Sequence, residues 1–266
     1  MMSEAQINEF ANRREYLTPS RYISGRIVEY DIRSANITML KKYHLIDDTY
    51  YNYLNILPKK DREIEIGNLI RTDINYYDTI SSGIIEAKKL LLSNNDINAS
   101  DIVRIANDAV YINKDYNLKN TIFDIVEFRR KSEFSVMLQL PSNIIIFFIN
   151  DGSNFNLDIK GMSEMQQSYH ANYMITFIAS LINTIQRVGV KEATEMISMF
   201  YNDYVNLKLD KRFYVEFNSR SKYKLKNSNY YMDIIDDINS IDISYNQYVL
   251  RELYSIILEM YMGGKR

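Results

Sequence analysis

The stretch FSVMLQLPSNIIIFFIN, residues 134–150, leaves this chain few folds to choose from. Two runs rich in β-branched and aromatic residues predict strands over 133–140 and 144–149. The short Pro141-Ser142-Asn143 connection returns the second run antiparallel to the first. A further strand is expected over 122–128. Upstream, the period changes within one segment. The apolar run at 26–32 reads as a strand, and from Ser34 onward Ile37, Leu40 and Lys41 recur at helical spacing, predicting a helix over 34–43. Residues 47–78 read as helix and loop broken at Pro58. SGIIEAKKLLL at 82–92 predicts a helix that buries Ile84, Ile85, Leu91 and Leu92 and leaves Glu86, Lys88 and Lys89 towards water. DIVRIANDAVYI at 101–112 then reads as strand, tight turn at Asn107-Asp108, and strand.

This order predicts an α+β fold on an antiparallel sheet rather than a doubly wound parallel one. After LDIKGM the pattern becomes that of long amphipathic helices. Met174, Phe177, Ile178, Leu181, Ile182 and Ile185 form one apolar face; Ala193, Met196, Ile197, Phe200 and Tyr204 form another, with Gly189 between them. A last helix is expected over 245–260. The organisation expected is an N-terminal arm over 1–25 with a short helix, an α+β domain over 26–162, and a mainly helical region over 163–266.

At 266 residues and 46% hydrophobic, the chain can bury a core without a partner. It contains no cysteine, which excludes disulfides, thiolate catalysis and cysteine-based zinc sites. Two histidines, His44 and His170, cannot build a multi-histidine metal site. The start of the chain has no signal-peptide pattern and no segment approaches a membrane span, so a soluble intracellular protein is expected. The formal charge of -2 does not by itself point to nucleic acid.

Asp31 stands at the end of a strand and Asp108 at a hairpin, 77 positions apart. If neighbouring strands bring them to one cleft, their repulsion would be relieved by Mg2+, a hard cation that takes carboxylate and phosphate oxygens and supports in-line phosphoryl transfer. The competing reading keeps each acid local. Asp31 caps the helix that begins near Ser34, and Asp108 belongs to the Asn-Asp turn.

YDIRSANITML at 30–40 resembles motif A of family B DNA polymerases, in which a strand-ending aspartate precedes a small residue and a short helix. The resemblance implies that Asp31 is a metal ligand, that Ser34 and Ala35 lie where the backbone approaches a triphosphate, and that Asn36 stands where the family usually has tyrosine. IANDAVYI at 105–112 resembles motif C, whose core is Asp-Thr-Asp-Ser. Asp108 takes the place of the second aspartate and Ala106 replaces the first. NLDIKGM at 156–162 is similar to the Lys-Gly segment after the palm sheet, implying contact between Lys160 and a nucleic-acid backbone. The following helices, expected at 164–187 and 190–207, resemble the start of a thumb. The resemblance runs in order over roughly residues 26–226 and implies a polymerase-like palm followed by a thumb-like helical region.

Two features of the family are missing. The fingers pattern has no clear copy between the two motifs; KKDREIEIGNLIR at 59–71 is the nearest candidate, with Lys60 or Arg62 as triphosphate contacts. A proofreading exonuclease upstream is not expected. Further along, residues 208–226 concentrate Lys208, Lys211, Arg212, Arg220, Lys222, Lys224 and Lys226 among aromatic residues, a pattern suited to phosphate neutralisation and stacking. Arg129, Arg130 and Lys131 form a smaller cluster near the expected sheet edge, and for both clusters the competing reading is charge that solubilises exposed strands and helix ends.

Together these features imply a phage-encoded, DNA polymerase-like protein that uses Mg2+ at Asp31 and Asp108 for nucleotidyl transfer on a primer-template in the cytoplasm of an infected bacterium. A catalytically inactive nucleic-acid-binding subunit of a replication or transcription complex is the alternative, favoured by Ala106, Asn36 and the missing fingers pattern. A virion structural protein is a third. DNA or another nucleic acid, or another phage protein, is the expected partner, and a membrane is not.

Overall fold

The computed structural model describes residues 2–114, 116, 118, 121–123, 125–140, 143–150, 155–161 and 176–209. Contacts divide the chain into two units, Met1–Ser20 with Ser24–Val136, and Arg21–Ile23 with Met137–Arg266. The division cuts two strands, between Ile23 and Ser24 and between Val136 and Met137. The strands expected at 122–128 and 133–140 are largely one strand of 15 residues, Val126–Leu140.

In the first unit the elements follow as α1 (Glu4–Asn12), β1 (Glu15–Leu17), β2 (Tyr22–Ile32), α2 (Ala35–Lys42), α3 (Asp48–Ile56), α4 (Lys59–Thr72), α5 (Asn75–Asn94), β3 (Ile102–Ala106), β4 (Ala109–Ile112), β5 (Thr121–Phe123) and β6 (Val126–Leu140). The strands lie in the order β1-β3-β4-β2-β6, with β5 on β6. The pairings β1–β3, β3–β4, β2–β4 and β5–β6 are antiparallel, as the alternation of strand and turn predicts.

The expected N-terminal arm is part of this unit. Ser3 caps α1 through a reciprocal box with Gln6. The Thr18 N–H donates to the Val103 carbonyl at 2.9 Å, extending the edge that β1 makes on β3.

A strand presents alternate side chains to opposite faces. On β2, Val28, Tyr30 and Ile32 enter a core that also holds Ile37, Met39 and Leu40 of α2, Ile84, Ala87 and Leu91 of α5, Val110 and Ile112 of β4, and Val126 and Phe128 of β6. Burying each such aliphatic side chain contributes on the order of 1.5–3 kcal/mol before entropy is counted. The intervening residues, Glu29 and Asp31, are thereby turned to the other face. Gly83 lets α5 approach α2 closely, since a Cβ there would lie 2.7 Å from Met39 Sδ and 2.8 Å from Tyr43 Cε2. Lys88, expected in water, is 2% exposed. The N-terminal segment covers that face of α5, and the Lys88 ammonium donates to the Arg13 carbonyl at 2.8 Å.

In the second unit β7 (Ile144–Asn150) pairs antiparallel with β8 (Phe155–Lys160), from Ile145↔Lys160 to Asn150↔Phe155. Of the expected turn between 140 and 144, Pro141 and Ser142 lie outside the described residues. Helices α6 (Thr176–Arg187) and α7 (Val190–Val205) bury Phe177, Ile178, Leu181 and Ile182 on one, and Ala193, Ile197 and Tyr204 on the other. Phe177 stacks on Phe200 with centroids 3.8 Å apart. Gly189, at φ 143°, starts the second helix where the sequence separates them. The part of the expected helix before residue 176, the helix over 245–260, and His170 lie outside the described residues. No helix among the described residues is long and apolar enough to cross a membrane.

Candidate functional site

The face of the first unit's sheet turned away from the helices carries an ionic lattice. Register sets Glu29 opposite Tyr111 and Asp31 opposite Ala109, while the Ile32 N–H donates to the Asp108 carbonyl at 3.3 Å. The two acids therefore come from adjacent strand ends. On the opposite flank of β2, the Arg33 N–H donates to the Glu127 carbonyl at 3.2 Å, setting β6 alongside. Because Val126 and Phe128 are buried, Arg129 and Lys131 fall on the same face as Glu29 and Asp31.

Arg129 Nε donates to Asp31 Oδ1 at 2.8 Å, and Lys131 Nζ lies 3.3 Å from Asp31 Oδ2. The same ammonium donates to Glu29 Oε1 at 3.0 Å, and the Tyr111 hydroxyl donates to that oxygen at 2.9 Å. Glu29 is 2% exposed, and its Oε2 has no partner among the described residues. Lys131 thus joins two carboxylates. Burial works against its charge, but the hydrogen bond and charge of Glu29, with the Asp31 charge, outweigh burial and raise its pKa. For Arg129 the hydrogen bond to Asp31 outweighs burial in the same direction.

Asp31 and Asp108 both line a cleft of about 410 Å3. Its walls include Ser34, Ala35, Asn36 and Ile37 at the start of α2, Lys59, Arg62, Glu63 and Ile66 of α4, and Arg129 and Lys131. Ser34 adopts the left-handed conformation at φ 50° and makes no side-chain cap bond. Asp31 does not cap the helix; its carboxylate is committed to β6. Asn107 and Asp108 do form the tight turn between β3 and β4, with Asn107 at φ 50°. Asp108 has its pKa raised, mainly by burial and then by the charges of Asp31 and Glu29, against a local backbone hydrogen bond and the charge of Lys131.

Of the residues expected from the sequence, the cleft therefore contains Asp31, Ser34, Ala35, Asn36, Arg62 and Asp108. Lys60 is exposed and does not line it; Lys59 does. Lys160 belongs to the second unit and pairs with Asp158 at 2.8 Å. Lys208 is exposed after α7, and Lys211, Arg212, Arg220, Lys222, Lys224 and Lys226 lie outside the described residues. Glu29, Arg129 and Lys131 were not expected at the site. The signal for them is paired spacing: Glu29 and Asp31 two apart on one strand, Arg129 and Lys131 two apart on another. Arg130, the third member of that cluster, pairs with Glu133 instead.

Whether these side chains suit Mg2+ can be judged from their bonding. Both Asp31 oxygens are occupied by cations, and the environment of Asp108 favours its neutral form. Among the described residues, no three His, Asp or Glu side chains are grouped to hold a metal ion. As arranged, a divalent cation bound at Asp31 would have to displace Arg129 or Lys131 from its oxygens.

The chain matches the family model described as Bacteriophage PBS1 gene 130 protein over residues 2–261 and belongs to that family. The phage origin expected from the sequence is supported by this match, which bears no polymerase designation. No curated protein matches the chain.

Proposed function

We propose that this phage protein is a nucleic-acid-binding component of a replication or transcription complex, with a polymerase-like framework whose acid pair serves a phosphate-binding cleft rather than catalysis. The observation that carries this reading is that residues resembling motifs A and C share one cleft while Arg129 and Lys131 occupy both oxygens of Asp31. A strand-end carboxylate neutralised from within is poorly placed to take a second cation. The cations around it retain capacity for phosphate oxygens: Arg62 is half-buried with no side-chain partner among the described residues, and Lys59 holds Glu63 only at 3.8 Å.

Binding through such cations is insensitive to base sequence and weakens with salt, because condensed counterions are released. Fluorescence anisotropy on a labelled primer-template, titrated over a salt series, tests this. The expected result is a linear fall of log K with log salt, and a slope reduced by about one for Arg62→Ala. No binding at low salt would leave a protein-only scaffold and end the proposal.

Nucleotidyl transfer with Mg2+ is the second reading, favoured by the convergence of Asp31 and Asp108 on adjacent strands. It requires Asp31 to leave both of its cations. Primer extension in Mg2+ that disappears in Asp31→Asn would establish it in place of the first.

A further inference from the structure

We propose that Lys131, with Arg129, stands in for a divalent cation at this centre, so that the cleft holds an oligophosphate group without metal. This rests on the reading of the cleft as a phosphate site and adds how the negative charge is balanced there.

A divalent ion between two carboxylates does two things: it cancels their repulsion and presents a positive charge to phosphate. Lys131 does the first, lying 3.0 Å from Glu29 Oε1 and 3.3 Å from Asp31 Oδ2. Its position is fixed from below, since Glu29 is buried and held by Tyr111. Lys131 and Arg129 remain 44% and 52% exposed as side chains, so both retain a surface for a ligand. Arg129 spends only Nε on Asp31, leaving its terminal nitrogens without a partner among the described residues. A guanidinium with that edge free can take two phosphate oxygens at once.

The opposite wall is suited to the same group. The backbone N–H groups of Ala35, Asn36 and Ile37 open α2, where no intrahelical acceptor exists and no side-chain cap substitutes. Arg62 adds a guanidinium. Against these stand Glu63, already beside Lys59, and Asp108, whose pKa burial raises. With Glu29 taking up the Lys131 charge, the four cations of the site balance its acids, and the free guanidinium edges of Arg62 and Arg129 remain for a ligand.

Isothermal titration with inorganic tripolyphosphate, in excess EDTA and separately in Mg2+, tests the proposal, with Mn2+ binding followed by electron paramagnetic resonance. The expected result is binding in EDTA at least as tight as in Mg2+, no Mn2+ bound to the parent protein, an affinity about tenfold weaker in Lys131→Met and largely kept in Lys131→Arg. The Arg variant and the Mn2+ measurement stand even if the Met variant fails to fold. Tripolyphosphate binding that requires Mg2+, or Mn2+ bound by the parent and lost in Asp31→Asn, overturns the inference. So does failure of tripolyphosphate to bind in either buffer. If primer-template still binds in those cases, the nucleic-acid reading survives; if it does not, that reading falls separately.

Discussion

Replacing Lys131 with methionine leaves the Glu29 carboxylate 2% exposed, with a hydroxyl from Tyr111 and no ammonium from β6. Removing one partner of a fully buried ion pair costs about 3–5 kcal/mol. Lys131 is itself 44% exposed, so water screens the pair and the expected loss is nearer ~2 kcal/mol. Glu29→Gln keeps an oxygen for both donors while removing the charge, and should cost about 1 kcal/mol. In the double variant no buried charge is left unpaired, so its loss should be about 1.5 kcal/mol rather than the sum. Urea denaturation of the four proteins at neutral pH, read from midpoints at unchanged m, gives the coupling directly. Losses that add within about 0.5 kcal/mol would refute the argument that Lys131 is held at the site by Glu29.

Three further outcomes follow from other parts of the chain. The folded pKa of Asp108 is raised above its unfolded value, so the folded state binds the proton more tightly and stability falls as pH rises from the unfolded value through the folded one; Asp108→Asn should therefore gain on the parent as pH rises above the ordinary carboxylate range, measured by urea midpoints, and a gap independent of pH would contradict this. Lys88 shows the opposite sign. Burial lowers its pKa to about 8, with the charge of Arg14 adding to the effect and that of Asp108 opposing it. Between that value and about 10.4 the unfolded chain holds more protons, so the parent should gain up to about 3 kcal/mol over Lys88→Met on going alkaline, visible as a rising difference in thermal midpoint. Gly161 has φ 83°, and a Cβ there would lie 2.5 Å from the Asn143 carbonyl oxygen; Gly161→Ala should cost about 2 kcal/mol in a denaturant titration, and a neutral result would contradict that crowding.

Legibility of the fold varied with how local its cause was. The change from strand to helix between Asp31 and Ala35, and the turn at Asn107-Asp108, were readable because period and turn chemistry act over a few residues. The long strand Val126–Leu140 was not, because the charged run in its middle reads as a break in a sequence, whereas in space the strand continues through it with side chains reaching solvent on both faces. Lys88 was misplaced for a similar reason. An amphipathic helix shows which face is apolar, and nothing in its own residues reveals that the N-terminal segment will cover the edge of the polar one.

By itself the sequence determined an antiparallel α+β arrangement, the absence of cysteine chemistry, and the choice of Asp31 and Asp108 as acids at strand ends. Only the tertiary structure decided what those acids do. Strand pairing between β2 and β4 brings residues 77 positions apart to one cleft, and β6 alongside β2 supplies the cations that neutralise Asp31. The physical reason is that the charge state of a site depends on distances across a sheet, and chain separation carries no information about those distances until the strands have chosen their neighbours.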